Sequence, residues 1–113
     1  MTDPLKAHWF QILLAVADGP LHGTAIMEDV LARTDGGMKL WPGTLYGSLG
    51  DLEGRGWIRE VAAPPDAPTE GGTRRFYGIT EPGRDALRSE VERLASFIRV
   101  ARAKRVADDL EPV

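Results

Sequence analysis

The 113-residue chain contains no cysteine. That single absence excludes a disulfide framework, a thiolate nucleophile and a thiolate metal site. No apolar run approaches the roughly 20 residues needed to span a bilayer. Met1-Thr2-Asp3-Pro4 does not begin a basic stretch followed by an apolar core, so no secretion leader is expected. Histidine is scarce, with only His8 and His22. No serine, histidine and acid set stands out, and no glycine-rich phosphate loop follows a strand. An enzyme, a cofactor and a metal are therefore not expected, and neither is a membrane partner. Positive charge is also short: 14 Lys and Arg against 17 Asp and Glu leave a formal charge of −3. Nucleic-acid binders usually carry an excess of Lys and Arg, so here the placement of charge matters more than its sum.

What is present is ordinary globular composition, 42% apolar and 27% charged, in a length that fits one domain. A chain of this size buries enough surface to fold without staples. A reducing, cytoplasmic setting is the expectation that goes with it.

From Leu5 to Asp18 the apolar residues Leu5, Trp9, Ile12, Leu13, Val16 and Ala17 recur at helical spacing, and Asp18-Gly19-Pro20 stops the helix. A second helix is expected from about His22 to Arg33, ending at Thr34-Asp35-Gly36-Gly37. Met38 to Trp41 reads as an extended link, because the residue before Pro42 is pushed off helical angles. Pro42 suits the first position of a third helix that runs to about Arg55 and stops at Gly56. Trp57–Val61 and Arg74–Thr80 read as strands, joined by a loop that holds three prolines and two glycines between Ala63 and Thr73. Thr80 caps a last helix continuing to about Val106.

The fold class expected is α+β, mainly α: a winged helix-turn-helix with a long C-terminal dimerisation helix. Residues 1–80 make the winged helix-turn-helix domain, with its wing loop at about 62–73. Residues 81–107 make the dimerisation helix, and 108–113 a frayed tail.

On the wheel of the third helix, Leu45, Leu49 and Leu52 fall together and face the core. Gly43, Gly47, Gly50 and Gly54 fall opposite, flanked by Thr44 and Tyr46. Interior helical glycines cost on the order of 1 kcal/mol each relative to alanine. A face carrying that cost needs to be thin, as close approach to a DNA groove would require. A high-GC genome that supplies glycine freely and close packing on another protein helix are the other readings. Thr44, Tyr46 and Ser48 offer hydroxyls to phosphates or base edges, and Tyr46 also fits as a core-edge residue. Asp51 lies toward the outer side, where a carboxylate opposes phosphate. Arg74 and Arg75, at the base of the hairpin, suit contact with an adjoining minor groove. As neighbours on a strand they point to opposite faces, so at most one faces DNA. Solvated strand residues paired with Glu60 or Glu70 are the alternative. Along the last helix Leu87, Val91, Leu94, Ile98 and Ala101 repeat at spacings of four and three, the seam of a coiled coil.

Ile12 to Gly23 followed by Ala25-Ile26, then Pro42-Gly43-Thr44-Leu45-Tyr46-Gly47-Ser48-Leu49, Leu52-Glu53 and Gly56-Trp57-Ile58, and then Arg74 to Gly83, resemble three motifs of the PadR family of bacterial transcriptional regulators. They occur in the family's order over about residues 10 to 105. The resemblance implies a homodimeric repressor on a pseudo-palindromic operator, in the short form with a single C-terminal helix. It implies double-stranded DNA contact through Thr44, Tyr46, Gly47, Ser48, Arg74 and Arg75. Trp9, Leu13, Leu87, Val91, Leu94, Ile98 and Ala101 would form the dimer interface. Some short members bind flat aromatic drugs between the central dimer helices. By resemblance, Trp9, Leu94, Phe97 and Ile98 are the candidates to line a pocket for a small apolar or aromatic effector. A winged-helix protein-interaction module with little DNA affinity is the competing function.

Overall fold

The computed structural model describes residues 3–67, 74–106 and 109. Helix α1 spans Ala7–Ala15, strand β1 Leu21–His22, α2 Gly23–Arg33, α3 Pro42–Gly54, β2 Ile58–Val61, β3 Phe76–Ile79 and α4 Glu81–Ala103. The expected order of helices and wing strands holds, with one addition. The residues just before α2 form β1, and the sheet is three-stranded and antiparallel in the order β1-β3-β2. Leu21 pairs with Tyr77 and His22 with Phe76 on one side of β3, while Ile58 pairs with Ile79 and Val61 with Phe76 on the other.

The core is built from α1 outward. Ile12, Leu13 and Val16 pack against Ile26 and Val30 of α2 and against Leu45, Leu49 and Leu52 of α3, with Leu40, Ile58, Tyr77 and Leu87 closing the cluster. Trp9 completes it, its ring edge-on to Trp57 at 6.1 Å and covered by the Arg55 guanidinium at 4.6 Å. Arg33 ties α2 to α1, with Nη1 donating to Gln11 Oε1 at 2.6 Å and Nη2 to the Gln11 carbonyl at 3.0 Å.

Thr80 both ends the sheet and starts α4. Its hydroxyl accepts from the Gly83 N–H at 3.1 Å and donates to the Gly56 carbonyl at 2.5 Å. Gly83 is obligatory there, because a Cβ would collide with the Trp57 backbone carbonyl. Gly56 sits at φ +74°, a left-handed turn that releases the chain from α3 into β2.

Helix α4 runs for 23 residues, about 34 Å at the standard rise, in a molecule whose extents are 52 × 29 × 26 Å. It outruns the body it packs on. Only Leu87 of its seam enters the core cluster. The expected tail at 108–113 lies outside the described residues apart from Asp109, and so do residues 68–73 of the wing loop.

Candidate nucleic-acid interface

Helix α3 turns its leucines inward and its glycines out. Leu45, Leu49 and Leu52 are fully buried. A Cβ added at Gly43, Gly47, Gly50 or Gly54 would meet nothing within 4 Å. The glycine face is therefore open, and no helix packs on it among the described residues. Thr44 is exposed on one flank. Tyr46, on the other, is 52% exposed, and its hydroxyl lies over Gly23, where a Cβ would stand only 2.7 Å away. The absence of a side chain at Gly23 thus seats the tyrosine at the junction of the two helices.

Ser48 does not belong to this surface. It is 8% exposed, because it lies one step round the wheel from Leu52, beside the buried ridge rather than opposite it. Asp51 is exposed on the same flank as Thr44, and no ion pair reaches it among the described residues. Trp41, given no role by the sequence reading, is an exposed indole immediately before Pro42, with the Lys39 ammonium 4.4 Å above its ring. An aromatic that no core residue claims, next to the helix start, was the available signal.

The wing arginines lie just before β3 rather than within it, since the ladder begins at Phe76. The rule of alternation along a strand therefore does not divide them, and both are exposed. Arg75 makes a loose pair with Glu60 at 3.8 Å, largely in solvent, where such pairs are weak. Arg74 Nη1 lies 3.0 Å from His22 Nε2. Burial, then the Arg74 charge, hold the His22 imidazole below its ordinary value of 6.5, while Glu28 pulls the other way.

The far half of α4 presents an apolar surface. Val91 and Val100 are exposed and Phe97 is 56% exposed, while Leu94, Ile98 and Ala101 are half-buried. The expected interface set divides here. Leu13 is 0% exposed, Trp9 is enclosed by Trp57 and Arg55, and Leu87 is in the core, so these three are held by the protomer itself. Phe97 also lines a groove of about 830 Å³ with Leu5, Arg55, Trp57, Glu90 and Arg93. Trp9, Leu94 and Ile98 do not line this groove. Glu90, buried on the groove wall, accepts from Arg93 Nε at 2.8 Å and Nη2 at 2.5 Å. That fork holds its carboxyl below the ordinary value of 4.5 against the opposing effect of burial, and the Leu5 N–H adds to it.

The described residues thus give α3 an open glycine face with exposed Thr44 and Tyr46, and put two exposed arginines just before β3. The family model of the transcriptional regulator PadR-like family matches residues 12–89. This chain belongs to the PadR-like family. A PadR family transcription regulator from Clostridium difficile has the same fold, with a TM-score of 0.68 at 21% identity over 89% of this chain and 99% of that one. Bacillus subtilis PadR, solved in complex with operator DNA, superposes with a TM-score of 0.63 at 17% identity over 76% of this chain and 47% of that one. An uncharacterised 37.1 kDa protein in transposon Tn4556 of Streptomyces fradiae is 37% identical over 84 residues, which is 74% of this chain. The chain spans only 22% of the length of that curated relative. The mainly helical winged-helix architecture expected of a PadR-like regulator is thus the one observed. Among the described residues, no helix is long and apolar enough to cross a membrane.

Proposed function

We propose that this PadR-like chain is a sequence-specific DNA-binding regulator that acts as a homodimer and represses its target. The open glycine face of α3 carries this reading. It lets the helix backbone approach a groove closely, with Thr44, Tyr46 and Gly47 at the surface and Arg74 and Arg75 on the flanking backbone. Dimerisation rests on the distal face of α4, where Val91, Leu94, Phe97, Ile98, Val100 and Ala101 extend past the protomer's own core. A second copy is the cover that suits a seam of this spacing. The groove walled by Trp57 and Phe97 is where a small aromatic effector would relieve repression.

A salt titration of binding to duplex DNA tests the reading. Each phosphate neutralised contributes a slope of about −0.9 to log affinity against log salt. A regulator using the surface above gives a steep line. The second reading, a protein-interaction module, is favoured by exposed Asp51 and the net charge of −3. It expects no binding at low salt or a flat line.

A further inference from the structure

Met38-Lys39-Leu40-Trp41 links α2 to α3, and Trp41 is extended ahead of Pro42 at φ −83° and ψ 153°. Burial alternates along the link. Met38 packs on the core and Leu40 is 3% exposed, while Lys39 and Trp41 face out. In an extended chain, residues two apart share a side. The Lys39 ammonium accordingly lies 4.4 Å from the centre of the Trp41 ring. The backbone beneath them is pinned at both ends. The Met38 N–H donates to Thr34 Oγ1 at 3.0 Å, and the Trp41 carbonyl accepts from the Leu45 N–H at 2.9 Å. An indole 62% exposed is thus carried on a fixed base.

Helix α3 carries no basic residue of its own, only Asp51 and Glu53. Of the two cations nearest it in sequence, Arg55 lies over the rings of Trp9 and Trp57. Lys39 is exposed, and no ion pair reaches it among the described residues. A cation resting on an exposed ring fits a partner that sets an anion beside apolar surface. A DNA strand does so at every phosphate and deoxyribose. Pro42 alone separates Trp41 from exposed Gly43 and Thr44, where the glycine face begins. We propose that Lys39 and Trp41 form one contact for the DNA backbone at the start of α3, the ammonium on a phosphate and the indole against the adjoining sugar. The proposal rests on the DNA-binding reading above.

Contacts to phosphate and sugar fix position without reading bases. Lys39→Met keeps the apolar stem and loses the charge, so the slope of log affinity against log salt should become shallower by about 0.9. Trp41→Ala should weaken binding about three- to tenfold, by a similar factor on two unrelated duplexes. Trp41→Phe, which keeps an aromatic face under the ammonium, should restore most of that loss. Both side chains are exposed, so all three variants should melt at the wild-type temperature.

Acrylamide quenching of tryptophan emission reads the ring directly. Trp9 is buried and Trp57 half-buried, so the accessible emission comes mainly from Trp41. Adding either mixed-sequence duplex at low salt should shield it, and Trp41→Phe should show no such shielding. Bound DNA with Trp41 still open to acrylamide, or an unchanged slope in Lys39→Met, overturns the proposal and leaves the DNA reading intact. Shielding that appears without DNA as protein concentration rises assigns the ring to a second copy and overturns it too. A loss in Trp41→Ala confined to one duplex makes the ring a base reader, which also overturns it. Absence of DNA binding at low salt refutes the DNA reading and this contact with it.

Discussion

If the outer face of α3 meets DNA, two of its glycines should set stability and DNA affinity against each other. Gly47 and Gly50 are interior to a helix that runs from Pro42 to Gly54, neither has positive φ, and an added Cβ meets nothing within 4 Å. Replacing either by alanine removes backbone entropy from the unfolded chain without strain in the folded one. Each replacement should stabilise by about 0.5–1 kcal/mol. The pair should reach about 1–2 kcal/mol, a rise in melting temperature of roughly 4–10 °C for a domain of this size. Thermal unfolding at fixed protein concentration measures it, since a dimer's stability depends on concentration. If the face sits against a groove, the added bulk has the opposite effect on binding. Gly47→Leu and Gly50→Leu should be well folded yet bind DNA at least tenfold more weakly, while the alanine pair loses less. Leucine variants that bind like the wild type would remove the groove from this face. A lower melting temperature in the alanine pair would refute the open, unstrained geometry.

Asp51→Lys should tighten DNA binding and steepen the salt slope by about one phosphate contact, because an exposed carboxylate on the same flank of α3 as Thr44 is exchanged for a cation. A salt titration alongside the wild type reads both, and an unchanged slope would place Asp51 away from phosphate. Ile98→Asp or Phe97→Asp should yield monomers by light scattering with little loss of secondary structure, whereas Leu13→Asp should unfold the protomer. Gly83→Ala should destabilise by about 2–3 kcal/mol or prevent folding, because the methyl meets the Trp57 carbonyl and α4 cannot shift from its Thr80 cap. Glu90 contributes stability through a depressed carboxyl value, so its share is complete above about pH 4.5 and disappears as pH falls through the lower folded value. Acid unfolding of Glu90→Gln should therefore show a flatter limb below about pH 4.5 than the wild type.

Local chemistry made much of this fold legible in the sequence. Pro42 at the start of α3, Gly56 at its end and the leucine ridge between them each act within a few residues, and the structure has them where propensity puts them. Strand β1 was out of reach for the opposite reason. Two residues carry no periodicity, and Leu21 and His22 are extended only because Tyr77 and Phe76 come back to pair with them. The wing arginines were misjudged by the same kind of distance, since a ladder that starts at Phe76 is fixed by Val61 across the hairpin and not by the run of β-formers alone.

The interface residues mark a different limit. Apolar spacing reports that a face is covered, without saying which chain covers it. Trp9 and Leu13 obey the helical period as well as Ile98 does, yet α1 is enclosed by α2, α3 and α4 of its own protomer. Along α4 the spacing is continuous from Leu87 to Ala101, but only Leu87 joins the protomer's core, on a helix about 34 Å long. Leu87 is buried in that core, whereas Ile98 is half-buried and outside it. On the dimer reading, the division between core and partner is a matter of lengths, fixed once the other helices are folded. That is why substitutions at Leu13 and Ile98, alike on the wheel, should separate so sharply into loss of fold and loss of dimer.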